Sequence, residues 1–244
     1  MPLAYLHGLT TATRTERANR HVARFLAFIA GAVNAGGFLA LRQYTSHMSG
    51  IVSAMADDLA IGYLDLALAG LAAVAAFLAG AIVTTLMIRW ARRRRMGSRY
   101  ALPLLLEAAL LILFGLRGRV FTGARAFDIV LLLCFTMGLQ NAIITKLSHA
   151  VIRTTHLTGM VTDSGIALGR ILDRLWSRRR TGITRELATL RLLSSLVLLF
   201  FVGGVTGALG FKHVGFLFTL PLAAVLILLA AGPILTDLKR SRQT

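Results

Sequence analysis

The chain has 244 residues, of which 56% are hydrophobic and 15% charged, and its mean hydropathy is +0.72. A soluble domain is nearer to about 25% charged, so the composition argues against a soluble globular enzyme and a disordered tail and fits a polytopic membrane protein. The net charge of +17 would suggest nucleic acid in a soluble chain, and here its placement matters more than its sum.

Six apolar segments follow one another: Phe25–Leu41, Leu66–Ile88, Ala101–Leu116, Ile129–Thr145, Leu192–Phe211 and Val214–Thr236. A bilayer crossing takes about 20 apolar residues as a helix, and the ten-residue alternation of a membrane β-barrel is absent. The first segment follows Arg14, Arg17, Arg20 and Arg24 and contains Asn34, which reads as a retained span rather than a cleaved leader. The third carries Glu107, whereas the other five hold no Asp, Glu, Lys or Arg. The fourth holds Cys134, the single cysteine, so no intrachain disulfide or cysteine-based metal site exists and a buried free thiol is expected. Between the fourth and fifth spans, Ile171 to Arg185 alternates apolar residues with arginines. This predicts an amphipathic surface helix with Trp176 as its interface anchor.

Lys and Arg set the orientation. The N-terminus, the second-to-third and fourth-to-fifth connections and the C-terminus hold 22 of the 27. Both termini are therefore expected in the cytoplasm, with the basic surface against anionic lipid headgroups. No recognition motif accompanies the charge, so no nucleic-acid partner is expected.

The chain also repeats itself. Residues Thr45-Ser46-His47-Met48-Ser49-Gly50-Ile51-Val52-Ser53 match Thr154-Thr155-His156-Leu157-Thr158-Gly159-Met160-Val161-Thr162, with four of nine positions identical. Upstream, Gly31-Ala32-Val33-Asn34-Ala35 matches Gly138-Leu139-Gln140-Asn141-Ala142, and the distance from Asn to His differs by two residues between the halves. Later, Phe77 and Gly80 parallel Phe201 and Gly204, and Leu102-Pro103-Leu104 parallels Leu220-Pro221-Leu222. The expected fold is all-α: six transmembrane helices arranged as two three-helix repeats, residues 25–118 and 119–236, between a basic N-terminus (1–24) and a basic tail (237–244). Three spans is an odd number, so the second repeat enters the membrane inverted. Such folds place broken helices near the midplane, where their free backbone groups meet a substrate or ion.

The Asn-containing first span, Thr-x-His-Met-Ser-Gly, and then Gly-Leu-Gln-Asn-Ala with Arg-Thr-Thr-His-Leu-Thr-Gly-x-x-Thr-Asp resemble the YoaK family of bacterial membrane proteins. That family is defined as a domain of unknown function. The resemblance covers roughly Phe25 to Leu235 and departs at Ile51, where the family pattern more often has Asn. It implies a six-span protein of the bacterial inner membrane, often guessed to be a transporter, and supplies no substrate.

The candidate binding residues are Asn34, His47, Ser49, Gly50, Glu107, Gln140, Asn141, Thr155, His156, Thr158, Gly159 and Asp163. Asn34 and Asn141 lie inside apolar runs, where a polar side chain is costly unless paired. They serve either a site or interhelical hydrogen bonding. His47 and His156 titrate near neutrality or anchor their loops. His149 has no counterpart in the first half. The two motif histidines fall on opposite membrane sides before any re-entry and lack helical ligand spacing, so no metal or cofactor is expected. Asp163 is either a coupling-ion site or an ordinary acid at a helix start. Glu107 should face the bundle, be protonated or pair, with Arg153 as one partner, and Val225 holds its register in the second half.

A carrier of a small solute leads the functional readings, followed by a channel and by a membrane scaffold or sensor. An enzyme is not expected, because HExxH, GxSxG and paired-acid motifs are missing. Self-association into a homo-oligomer is compatible with this architecture.

Overall fold

The computed structural model describes residues 16–41, 44–117, 126–147, 156–177 and 182–241. Among these the chain is helical throughout, with no strand. The helices are α1 (Glu16–Leu41), α2 (Met48–Ala60), α3 (Leu64–Arg93), α4 (Ala101–Arg117), α5 (Ala126–Leu147), α6 (Leu157–Trp176), α7 (Ile183–His213) and α8 (Thr219–Ser241). A 3-10 turn over Gly215–Phe218 joins α7 to α8.

Among the described residues five segments are long and apolar enough to cross a membrane, carried by α1, α3, α5, α7 and α8. α4, which covers the third expected span, has 17 residues and is about 25 Å long. Several helices outrun their apolar segments. α1 starts at Glu16 and α7 at Ile183, so Arg20, Arg24, Arg185 and Arg191 lie inside helices. Long arginine stems can cover apolar surface while their heads reach water. The amphipathic helix expected over Ile171 to Arg185 is not formed as one unit. Its first part ends α6 and its last part begins α7, and Trp176 is 91% exposed.

Two close helix pairs organise the packing, α1 with α7 and α3 with α5. Glycine permits both. A Cβ on Gly31 would run into the Phe200 carbonyl, and one on Gly203 into the Phe28 carbonyl. At the other crossing, Gly138 lies against the Phe77 carbonyl and Gly80 against the Phe135 carbonyl. Small residues let membrane helices approach backbone to backbone, where dispersion and weak polar contacts replace the missing hydrophobic drive. The contacts put Phe200 and Gly203 in the roles of Phe77 and Gly80. This corrects the sequence register of Phe201 and Gly204 by one residue.

Side-chain hydrogen bonds tie the crossings. Thr84 Oγ1 donates to the Leu139 carbonyl (3.2 Å), Gln140 Nε2 to the Leu26 carbonyl (3.2 Å) and Arg24 Nε to Ser195 Oγ (3.1 Å). α4 packs antiparallel on α8. At one end Thr219 Oγ1 donates to the Leu111 carbonyl (2.8 Å). At the other the Asp237 carboxylate accepts from the Gly97 and Ser98 amides (3.1 and 2.8 Å). α1 and α5 form the inside of the bundle, with 67% and 61% of their apolar windows buried, whereas α3 and α7 bury 17% and 22%. The outward leucines of α3, including Leu71, Leu78 and Leu86, and the apolar face of α7 are therefore the lipid-facing surface.

Candidate functional site

α2 and α6 begin in the same way. His47 precedes α2 with φ −97° and ψ 70°, and His156 precedes α6 with φ −85° and ψ 61°. Neither helix has a side-chain hydrogen bond capping its N-terminus, so the first-turn amides that normally seek a partner are left to whatever fills the space before them. The glycine of each motif explains the geometry. A Cβ on Gly50 would press on the His47 ring, Nδ1 lying 2.7 Å away, and Gly159 stands against His156 in the same way. Each glycine thus lets a histidine ring fold over the first turn of its own helix.

The two motifs meet. A cavity of about 770 Å³ is lined by Asn34, Ser46, His47, Ser49, His156 and Thr158, with Tyr44, Met48, Phe77, Leu157 and Phe200 as its apolar walls. The two histidines, expected on opposite membrane sides before any re-entry, thus line one cavity. Phe77 is near the middle of α3 and Phe200 near the middle of α7, so both motifs reach the level of the helix midpoints. α2 then runs back along α3, where Met55 meets Gly70. α6 runs back along α7, where Arg170 and Arg174 pair with Glu186 at 3.8 and 3.5 Å.

Asn34 holds the first motif in place. Its Oδ1 accepts from the Ser46 amide (3.3 Å) and hydroxyl (3.0 Å). Asn141 Nδ2 donates to the Met137 carbonyl (2.9 Å) on its own helix. A second, more apolar cavity of about 480 Å³ adjoins the first. The two share Asn34, Tyr44, Leu157 and Phe200, and the second runs between α1 and α7 past Gly31, Phe201, Gly204 and Val205. Phe201 is 66% exposed, so this groove opens on the lipid-facing side.

Other candidates fall elsewhere. Gln140 is buried in the core between α5 and α1. Asp163 lies on the exposed face of α6, away from the lining residues. Glu107 is fully buried in α4, faces the bundle, and neither carboxylate oxygen has a hydrogen-bond partner among the described residues. Thr155, His149 and Arg153 lie outside the described residues. Ile51 is buried with Ala73, Val130 and Cys134, which accounts for an apolar residue there. Sequence reasoning missed Tyr44, Ser46 and Phe200 as lining residues. Their signals were present, since Tyr44 and Ser46 flank or belong to the first motif and Phe200 lies one residue from an assigned repeat position.

A helical bundle with lipid-facing outer helices and a polar cavity at mid-height defines a polytopic α-helical membrane protein. The chain matches the family described as "Protein of unknown function (DUF1275)" over residues 22–232 and belongs to it. It is 27% identical over 185 residues to the UPF0700 transmembrane protein YoaK of Bacillus subtilis (strain 168), a match covering 75% of this chain and 80% of that relative. No solved structure matches the chain.

Proposed function

We propose that the protein is a secondary carrier of a small solute in the bacterial inner membrane, with six spans and both termini in the cytoplasm. One observation carries the reading: two copies of one polar motif, more than a hundred residues apart, line a single cavity at the level of the helix midpoints. The pairings of α1 with α7 and α3 with α5 through equivalent glycines support two halves inverted about an axis in the membrane plane. Rocking of such halves about a fixed central site is the expected mode of alternating access. α2 and α6 then act as half-helices leaving the midplane in opposite directions, with their N-termini at the cavity.

The lining narrows the solute. Among the described residues no Asp, Glu, Lys or Arg lines the cavity. Its polar equipment is hydroxyls, an amide, two imidazoles and two helix N-termini, which favour hydrogen-bond acceptors and negative charge. The adjoining apolar groove suits a solute with an apolar portion. Transport suits this set, since among the described residues that line the cavity no nucleophile is hydrogen-bonded to an oriented base of the kind covalent catalysis uses.

The test is a thermal-shift screen of detergent-purified protein against carboxylic acids, amino acids and amphipathic metabolites, with wild type beside His156→Ala. A ligand at about 100 times its Kd stabilises by roughly 2.7 kcal/mol. A hit lost in the variant, followed by saturable counterflow of that compound in proteoliposomes, supports the reading. Flux without saturation or counterflow indicates a channel. Hits that His47→Ala and His156→Ala both leave intact remove the cavity as the site.

A further inference from the structure

α3 ends in a basic stripe. Thr85, Ile88, Arg89, Arg92 and Arg93 follow i, i+3, i+4, i+7, i+8 spacing and so lie along one helix face. With Lys146 at the end of the neighbouring, parallel α5 they line a cleft of about 300 Å³. Ile88 is buried, whereas the four cationic residues are exposed. Among the described residues no carboxylate lines the cleft, and none of the four cations has an ion pair or hydrogen bond there. Four other arginines are answered, Arg170 and Arg174 by Glu186, Arg24 by Ser195 and Arg94 by the Trp90 ring, so it is the convergence of four unanswered cations on one cleft that sets this site apart. Like charges at i, i+3 and i+4 repel, and the nearby helix C-termini offset this only in part. Just below the stripe, Leu78, Ile82 and Leu86 are exposed on the lipid-facing side of α3.

We infer that the cleft between the ends of α3 and α5 binds a phosphate-bearing anion through Arg89, Arg92, Arg93 and Lys146. Arginine forks match phosphate oxygens in bidentate geometry, and a basic pocket between membrane helices suits an anionic lipid headgroup. The apolar stripe beneath it supplies a surface for the acyl chains of such a lipid. The same four cations would take a free phosphate ester, so the two sources are separated by experiment. This site is distinct from the central cavity and does not depend on the transport reading.

Protein in nanodiscs of phosphatidylcholine is titrated with phosphatidic acid or with cardiolipin, and detergent-purified protein with inorganic pyrophosphate. Binding is read by native mass spectrometry and by thermal shift. The variant Arg92→Gln/Arg93→Gln/Lys146→Gln is compared with Arg185→Gln/Arg191→Gln/Lys239→Gln, which removes equal charge from exposed residues elsewhere. Each surface cation contributes about a few-fold to anionic-lipid binding. The first variant is therefore expected to weaken binding on the order of a hundredfold, with the second close to wild type. The single change Arg93→Gln gives a several-fold loss should the triple variant fold poorly. Loss confined to the lipid arms identifies a headgroup site, and a matching loss with pyrophosphate identifies a free-phosphate site. Equal losses in both triple variants, or no preference over phosphatidylcholine and no pyrophosphate binding, overturn the inference.

Discussion

Neither carboxylate oxygen of Glu107 meets a hydrogen-bond partner among the described residues, although the side chain is fully buried. Leaving a buried polar group unsatisfied costs about 1–3 kcal/mol, and α4 would pack as well around an apolar side chain of similar volume. Glu107→Met should therefore raise the thermal stability of the purified protein by about 1–3 kcal/mol. A melt showing destabilisation of that size would mean that the carboxyl has a partner after all. A chain that keeps such a residue at a stability disadvantage fits the pattern of functional sites that trade stability for activity, so the same variant is expected to slow flux once a solute is known. The sequence showed Glu107 as the one acid inside an apolar segment, but not that it stands apart from the cavity. That separation depends on which face of α4 turns inward, and packing against α5 and α8 decides it. The motif histidines behave differently. Their rings are exposed and make no capping bond, so His47→Ala and His156→Ala should change stability by no more than about 0.5 kcal/mol while removing ligand-induced stabilisation. A large drop in melting temperature without ligand would make the histidines structural.

At the scale of helices, glycine has two opposite meanings in this chain. Gly31, Gly138, Gly80 and Gly203 sit where one helix backbone touches another. Gly138→Val forces α5 away from the Phe77 carbonyl and is expected to cost about 3 kcal/mol, as overpacking does. Gly165 and Gly169 on α6 have open space around the position of a Cβ, so alanine there should stabilise by about 0.5–1 kcal/mol each through reduced chain entropy. Melting both variants beside wild type tests the pair, and similar shifts for the two classes would mean that the crossings are not close. A second element-level contact is Asp237, whose carboxylate accepts the amides that lead into α4. Asp237→Ala should cost about 1–2 kcal/mol, the usual loss of a side chain capping a helix start, and Asp237→Asn should recover part of it. Apart from the 20-residue α6, apolar runs located the long helices α1, α3, α4, α5, α7 and α8 in the sequence, because the core of each is a continuous apolar stretch. Their ends were less legible. α1 and α7 carry arginines inside regular helix, where composition suggested loop, and α6, which starts at Leu157, takes in Ile171 to Trp176 of the expected surface helix.

For the whole molecule, the repeat was visible in the sequence as paired motifs, yet their convergence was not. Sequence position places His47 after an outward crossing and His156 after an inward one, yet both line one cavity at the level of Phe77 and Phe200. No local pattern encodes that convergence, because it is fixed by the packing of α2 on α3 and of α6 on α7. The proposed inverted arrangement makes a prediction that composition alone does not. If α2 and α6 leave the cavity in opposite directions, the turn after α2 faces outward and the turn after α6 faces the cytoplasm. Ile61 and Ser177 mark those turns, and both are exposed. In a Cys134→Ala background, which removes the single buried thiol, Ile61→Cys should react with a membrane-impermeant maleimide in intact spheroplasts. Ser177→Cys should react only after the membrane is opened. The positive-inside distribution agrees with this assignment, since Arg170, Arg174 and Arg178 to Arg180 crowd the second turn and no Lys or Arg lies between Ile61 and Ile88. Labelling of both positions from one side would place the motif helices in the same half of the bilayer. The cavity would then line a path from one side only, and the rocking of two inverted halves would no longer explain how a solute crosses.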